Sequence, residues 1–195
     1  MAALSLVAEK GLDKVTVDEI SNIADISPRT FFNYFAAKES ALVGDAPEVP
    51  TGVIVEDYVS GRFGTSVFDG LGTLLGTAID DTSADAELML LRRSLLKDYP
   101  QLLSQRMLAM RTFEEQLREI IVRRLLTDEP SLALSPDALL SKSRLVTLVA
   151  FGAMRHAWAC WADNEGTIPL RDRLKDSFEQ LGQILAPVPV PAQVG

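Results

Sequence analysis

The sequence offers little to build an active site from. It contains one cysteine, Cys160, and one histidine, His156. A single cysteine excludes an internal disulfide, so the chain is not a disulfide-stapled scaffold. His156 and Cys160 stand four apart on a helical pattern, which puts two metal ligands on one face but supplies no third; core packing is the ordinary role of such a pair. No P-loop, no G-x-S-x-G elbow and no dinucleotide fingerprint occurs, and neither a cofactor nor a metal is expected. No uninterrupted apolar run reaches the roughly 18 residues of a membrane span. The N-terminus lacks the basic region and apolar run of a signal peptide. The expectation is a cytoplasmic chain with no membrane partner. Positive charge is also scarce: 19 Lys and Arg against 27 Asp and Glu leave a formal net charge of −8, which argues against a general nucleic-acid binder. A sequence-specific reader stays open, because only the charge of its contacting face matters.

What is present is ordinary globular material. Of 195 residues, 47% are apolar and 24% charged, enough for one large domain or two small ones with a sizeable core. The informative stretch is residues 16–42. Thr16 followed by Glu19 is a T-x-x-E capping box. Val17, Ile20, Ile23 and Ala24 recur at helical spacing, so one face of that helix is expected to be apolar. Ser27-Pro28 then supplies a second N-cap with Pro at N1 and forces a break before it. In the helix that follows, Arg29, Thr30, Asn33 and Tyr34 fall on one face, while Phe31 and Phe35, four apart, hold the other side to the preceding helices. Such a face suits the DNA major groove: Arg reads guanine, Asn reads adenine, and Thr or Tyr reaches a phosphate or a thymine methyl. Taken alone, the cluster Phe31, Phe32, Tyr34 and Phe35 would favour a small helical hairpin in which these rings are merely core.

This stretch resembles the helix-turn-helix of the TetR family of transcriptional regulators. The resemblance rests on Thr16-Val-Asp-Glu-Ile20, on Ile26-Ser-Pro-Arg-Thr-Phe-Phe-Asn-Tyr-Phe35, and on Lys38-Glu39 with Ala41-Leu42. It implies an all-α fold with a three-helix N-terminal DNA-binding domain and a C-terminal helical domain for ligand binding and dimerisation. It also implies that Thr16, Pro28, Arg29, Thr30, Phe32, Asn33, Tyr34 and Lys38 face DNA, with Lys38 on a phosphate. Relative to the family the chain starts in the middle of the first helix, so a basic arm is expected to be missing or truncated. Residues 1–44 hold Lys10, Lys14, Arg29 and Lys38 against Glu9, Asp13, Asp18, Glu19, Asp25 and Glu39. DNA affinity should therefore be modest and strongly salt-dependent.

Along the chain, residues 1–44 form the DNA-binding domain. Two prolines and two glycines in residues 44–52 end any helix, and residues 45–64 read as a linker or loop within which an apolar segment, 53–58, can pack. Residues 65–185 read as the second domain, with helices over 65–80, 84–98, 100–126, 136–163 and 169–185, a turn at 81–84 and a loop at 127–134. Arg123 and Arg124 near the end of the third of these complement its dipole. Residues 186–195, with three alternating prolines, form an extended or disordered tail.

The middle helices are expected as a group to enclose a pocket walled by Phe68, Leu75, Met89, Met107, Met110, Phe113, Phe151, Met154, Trp158 and Trp161, adaptable apolar side chains suited to a small apolar or amphipathic effector; for any one of them ordinary core packing is the alternative. Arg92, Arg93, His156 and Asp163 are polar groups able to orient it, although a surface or structural role is the more ordinary one for each. The last two long helices supply the expected homodimer face, through Leu145, Leu148, Gly152, Leu170, Leu174, Phe178, Leu181 and Leu185. The function this predicts is a ligand-responsive repressor that binds double-stranded operator DNA as a homodimer. A helical protein-interaction module and a metal-assisted helical enzyme are the rivals.

Overall fold

The structure, a computed structural model, describes residues 1–44, 48–79 and 86–186. The expected turn at 81–84 and nearly all of the Pro-rich tail lie outside the described residues. The described chain is all-α. In order it forms α1 (Ala2–Lys10), a 3₁₀ turn (Leu12–Lys14), α2 (Val17–Ile23), α3 (Pro28–Tyr34), α4 (Lys38–Val43), α5 (Val53–Val59), α6 (Leu71–Thr77), α7 (Ala86–Asp98), α8 (Pro100–Asp128), a second 3₁₀ segment (Pro130–Leu134), α9 (Pro136–Asp163) and α10 (Leu170–Leu185).

Two apolar cores organise these helices. The first gathers Leu4, Val7, Leu12, Val15, Ile20, Phe31 and Leu42 from the N-terminal helices and is completed by Leu95 of α7 and Leu102 of α8. The second gathers α5, α6, the later part of α8, α9 and α10. The helix expected over 84–98 thus serves both: Leu88, Leu91 and Leu96 lie against the first core and Met89 and Leu90 against the second.

The linker expected at 45–64 is more structured than a loop. Residues 53–59 are helical, and Val55 and Tyr58 are buried. The cause lies in α8. Arg124 is 1% exposed, and a buried guanidinium is tolerated only when its charge and donors are answered. Its Nε donates to both carboxylate oxygens of Asp128, at 2.9 and 2.8 Å, one Nη donates to the Tyr58 carbonyl at 2.7 Å and the other to the Gly64 carbonyl at 2.8 Å. The guanidinium also lies over the Tyr58 ring, 5.6 Å from its centroid, and the Tyr58 hydroxyl donates to the Val67 carbonyl at 2.7 Å. Burial holds that phenol well above its ordinary pKa, so it stays a donor. Arg124 is therefore a clamp on residues 58–66, not an ornament of the helix dipole.

The helix expected over 65–80 is shorter at its start. The Asp69 carboxylate accepts from the Ser66 N–H at 2.8 Å, closing a turn, and Gly70 adopts φ 80°, where a side chain would collide with Phe63. α6 begins only after it. Leu71, Leu74 and Leu75 are then fully buried, and Gly72 lets α6 lie on α10, since a Cβ there would stand 3.2 Å from the Lys175 Cα. α9 starts at Pro136 as the sequence predicts, although the Ser135 side chain makes no capping bond. It is the one described helix long and apolar enough to cross a membrane by length and composition alone; here Val146, Ala150, Ala153, Ala157 and Trp161 are buried in the second core.

Candidate nucleic-acid interface

The helix pair α2 and α3 is built from its caps outward. At the start of α2 the Thr16 hydroxyl accepts from the Glu19 N–H at 3.2 Å and the Glu19 carboxylate accepts from the Thr16 N–H at 3.0 Å, a complete capping box. The Thr16 N–H, with Lys10 at 3.0 Å, holds the Glu19 carboxyl below the ordinary carboxylate range. α2 buries Ile20 and Ser21, whereas Ile23, expected on the apolar face, is exposed. The helix is only two turns long and its apolar side is spent by Ile20. The turn then passes through Asp25 at φ 54°, in the left-handed region that Asp tolerates better than most side chains, and the Ile26 N–H returns to the Ser21 carbonyl at 3.0 Å.

α3 starts at Ser27, whose hydroxyl accepts from the Thr30 N–H at 3.0 Å, with Pro28 at the first position. Phe31 is 1% exposed, and the Phe35 ring lies 5.3 Å from it and the Phe32 ring 5.6 Å. One aromatic thus anchors the helix while its other side stays open. Pro28, Arg29, Phe32, Asn33 and Tyr34 are exposed, Tyr34 to 78%. These are the side chains expected to face DNA, and the fold brings them onto one short helix.

Three of the expected contacts are otherwise engaged. Thr30 is half-buried and its hydroxyl lies 2.8 Å from that of Ser27. Thr16 is exposed, but its hydroxyl and N–H are both used in the capping box. Lys38 departs furthest from expectation. Its ammonium donates to the carbonyls of Leu12, at 2.7 Å, and Val15, at 3.0 Å, so it ties α4 to the end of the 3₁₀ turn instead of reaching outward to a phosphate. With Lys10 on Glu19 and Lys38 on two carbonyls, Arg29 and Lys14 are the remaining Lys and Arg of residues 1–44, and neither makes an ion pair among the described residues.

Residues 1–42 match the sequence model described as "Bacterial regulatory proteins, tetR family". The chain carries a TetR-family DNA-binding domain. It is accordingly a DNA-binding transcriptional regulator, with further helices following its TetR-type domain. No curated protein matches the chain.

The TetR-type domain is fastened to those helices by contacts that local periodicity does not reveal. The Tyr99 hydroxyl accepts from the Leu12 N–H at 3.2 Å. Arg92 of α7 donates through Nε to the Leu42 carbonyl at 3.0 Å, at the end of α4. Arg92 thus has a structural role, tying α7 to the end of α4. Arg93 and Asp163, 3.9 Å apart, face each other. The Ser177 hydroxyl donates to the Arg173 carbonyl at 2.8 Å and lies 2.9 Å from His156 Nδ1, while His156 Nε2 lies 3.5 Å from Cys160 Sγ. Among the described residues no group of three metal-ligating side chains stands together.

Of the side chains expected to wall one pocket, Met89 and Trp161 line one cleft and Phe113 another. Leu75, Phe113, Met154 and Trp161 are buried in the second core, Phe68, Met89, Met110, Phe151 and Trp158 are half-buried against it, and Met107 is 62% exposed. Phe113 packs edge-on to Phe151 and Trp158 to Trp161. Aromatic and Met side chains at helical spacing filled the core because neighbouring helices met them there. Two clefts lie beside it. One, of about 150 Å³, is lined by Met89 and Trp161 with Ala86, Gly166, Thr167, Pro169 and Leu170; the other lies between residues 48–56 and α8.

The expected dimer residues divide in the same way. Leu170, Leu174 and Phe178 are buried, and Leu181 packs on the same core. They are consumed within the chain, because α10 lies against both α6 and α9. Leu145, Leu148 and Gly152 of α9 and Leu185 of α10 remain exposed, Leu145 to 63% and Leu148 to 54%.

Proposed function

We propose that the chain is a ligand-responsive repressor that binds a two-fold symmetric operator as a homodimer in the cytoplasm. The observation that carries the reading is the outward face of α3, where Arg29, Phe32, Asn33 and Tyr34 stand free of the core on a helix capped at Ser27 and anchored by Phe31. A helix of seven residues reads only a few base pairs, so specificity calls for a second copy about one DNA turn away, roughly 34 Å. The exposed Leu145, Leu148 and Gly152 support α9 as the side on which that copy sits: leucines open to water at helical spacing, beside a glycine that permits close approach, favour association.

In this reading the effector acts through α7. That helix holds α4 by Arg92, Tyr99 just beyond its end holds the 3₁₀ turn, and Met89 on its other side lines a cleft of the second core. An effector that prefers one position of α7 changes the spacing of the two reading helices, with leverage equal to its differential affinity for the two states. The test is selection of bound duplexes from a random pool. The expected product is a site with inverted half-sites about one turn apart. A product with a single half-site rejects the dimer, and no enrichment rejects operator reading.

A further inference from the structure

Residues 48–52 and the first turn of α5 face the middle of α8 across an open groove of about 610 Å³, within the roughly 300–1,000 Å³ of small-molecule sites. Its floor is apolar: Val55, Phe113 and Ile120 are all buried side chains that line it. Its walls carry three carboxylates, Glu48, Glu56 and Glu119, and one cation, Arg123. Arg123 is committed, since one Nη donates to both oxygens of Glu56, at 2.9 and 2.7 Å. Glu48 and Glu119 are exposed and make no ion pair among the described residues. Three carboxylates against one guanidinium leave the lining at −2, in a chain that is itself at −8.

An anion entering this groove meets repulsion, and a neutral apolar molecule leaves the carboxylates unanswered. An organic cation with an apolar body answers both halves of the lining. A charge pair beside low-dielectric walls is stronger than the same pair in water, and the acidic surface concentrates cations near the entrance. We propose that the groove binds a lipophilic organic cation, its apolar body on Val55 and Ile120 and its charge between Glu48 and Glu119. The smaller cleft has no charged lining residue and carries no such preference. The regulatory consequence rests on the repressor reading: one wall, residues 48–52, is the chain leading out of α4, and α4 packs on α8, the other wall. A cation bridging both walls acts on the connection between the DNA-binding domain and the rest.

The test is calorimetry on the full chain without DNA, titrating tetraphenylphosphonium and, separately, tetraphenylborate, which has the same shape and the opposite charge. The phosphonium is expected to bind one site per chain, with the borate weaker by about tenfold or more. In the double variant Glu48→Gln, Glu119→Gln, altered only at exposed side chains and checked for an unchanged melting curve, phosphonium affinity is expected to fall by about tenfold while the borate gains. Absence of phosphonium binding, equal affinity for the two ions, or an unaltered double variant overturns the proposal. Since no DNA is present, such a result leaves operator reading standing, and failure to find an operator leaves the groove standing.

Discussion

At the scale of single residues, the same side-chain types do opposite work according to what stands beside them. Phe31 and Phe32 are neighbours in sequence, yet Phe31 is buried and Phe32 exposed, because the helix turns one inward and the next outward. Phe31→Ala should lower unfolding stability by about 3–5 kcal/mol, measured by denaturant melts; a variant as stable as its parent would contradict the anchor role. Lys38 and Arg29 make the same contrast among cations. Lys38 donates to the Leu12 and Val15 carbonyls, and leaving those acceptors unmet costs about 1–3 kcal/mol. Lys38→Met is therefore expected to lower stability by that amount and to leave the salt dependence of DNA binding unaltered. A phosphate contact would show as a fall of about one in the log–log salt slope, with stability unchanged.

At the scale of elements, what local chemistry writes into the sequence was legible. The capping box at Thr16 and Glu19, the Ser27-Pro28 start of α3 and the Pro100 and Pro136 starts of α8 and α9 all stand where capping rules place them. What stayed hidden depends on partners distant in the chain. Nothing near residues 53–59 announces that Arg124 will hold them as a helix on α8. Nothing near Leu170, Leu174 and Phe178 says that α6, made able to approach by Gly72, will cover that stripe before a second copy can. For the same reason most of the Met and aromatic residues read as one pocket pack on the second core, with Met89 and Trp161 at the edge of one cleft and Phe113 at another. The capping box also makes α2 acid-sensitive. Its Glu19 carboxyl is held below the ordinary value of 4.5, first by the Thr16 N–H and then by Lys10. A depressed pKa gives stability that is present above the ordinary value and lost as pH falls through the folded one. Glu19→Gln should thus flatten the decline in melting temperature below about pH 4.5; an identical decline in parent and variant would assign the acid sensitivity to other groups.

At the scale of the whole molecule, a net charge of −8 and a DNA-binding domain with few free cations rule out a broad basic surface as the source of affinity; in the proposed repressor it comes from placement and from pairing two reading helices. The exposed leucines of α9 are where that pairing is expected. Leu145→Asp with Leu148→Asp should convert a dimer to a monomer in sedimentation equilibrium and abolish operator binding without lowering the stability of the fold; an unchanged dimer would place the interface elsewhere. The central claim is that the outward face of α3 reads base sequence. The most direct measurement is an anisotropy titration of the parent and of Arg29→Ala on the selected operator and on a random duplex, at one salt concentration. The prediction is a loss of about 1–3 kcal/mol on the operator and almost none on the random duplex. Equal losses on both duplexes, or no loss on either, would contradict it.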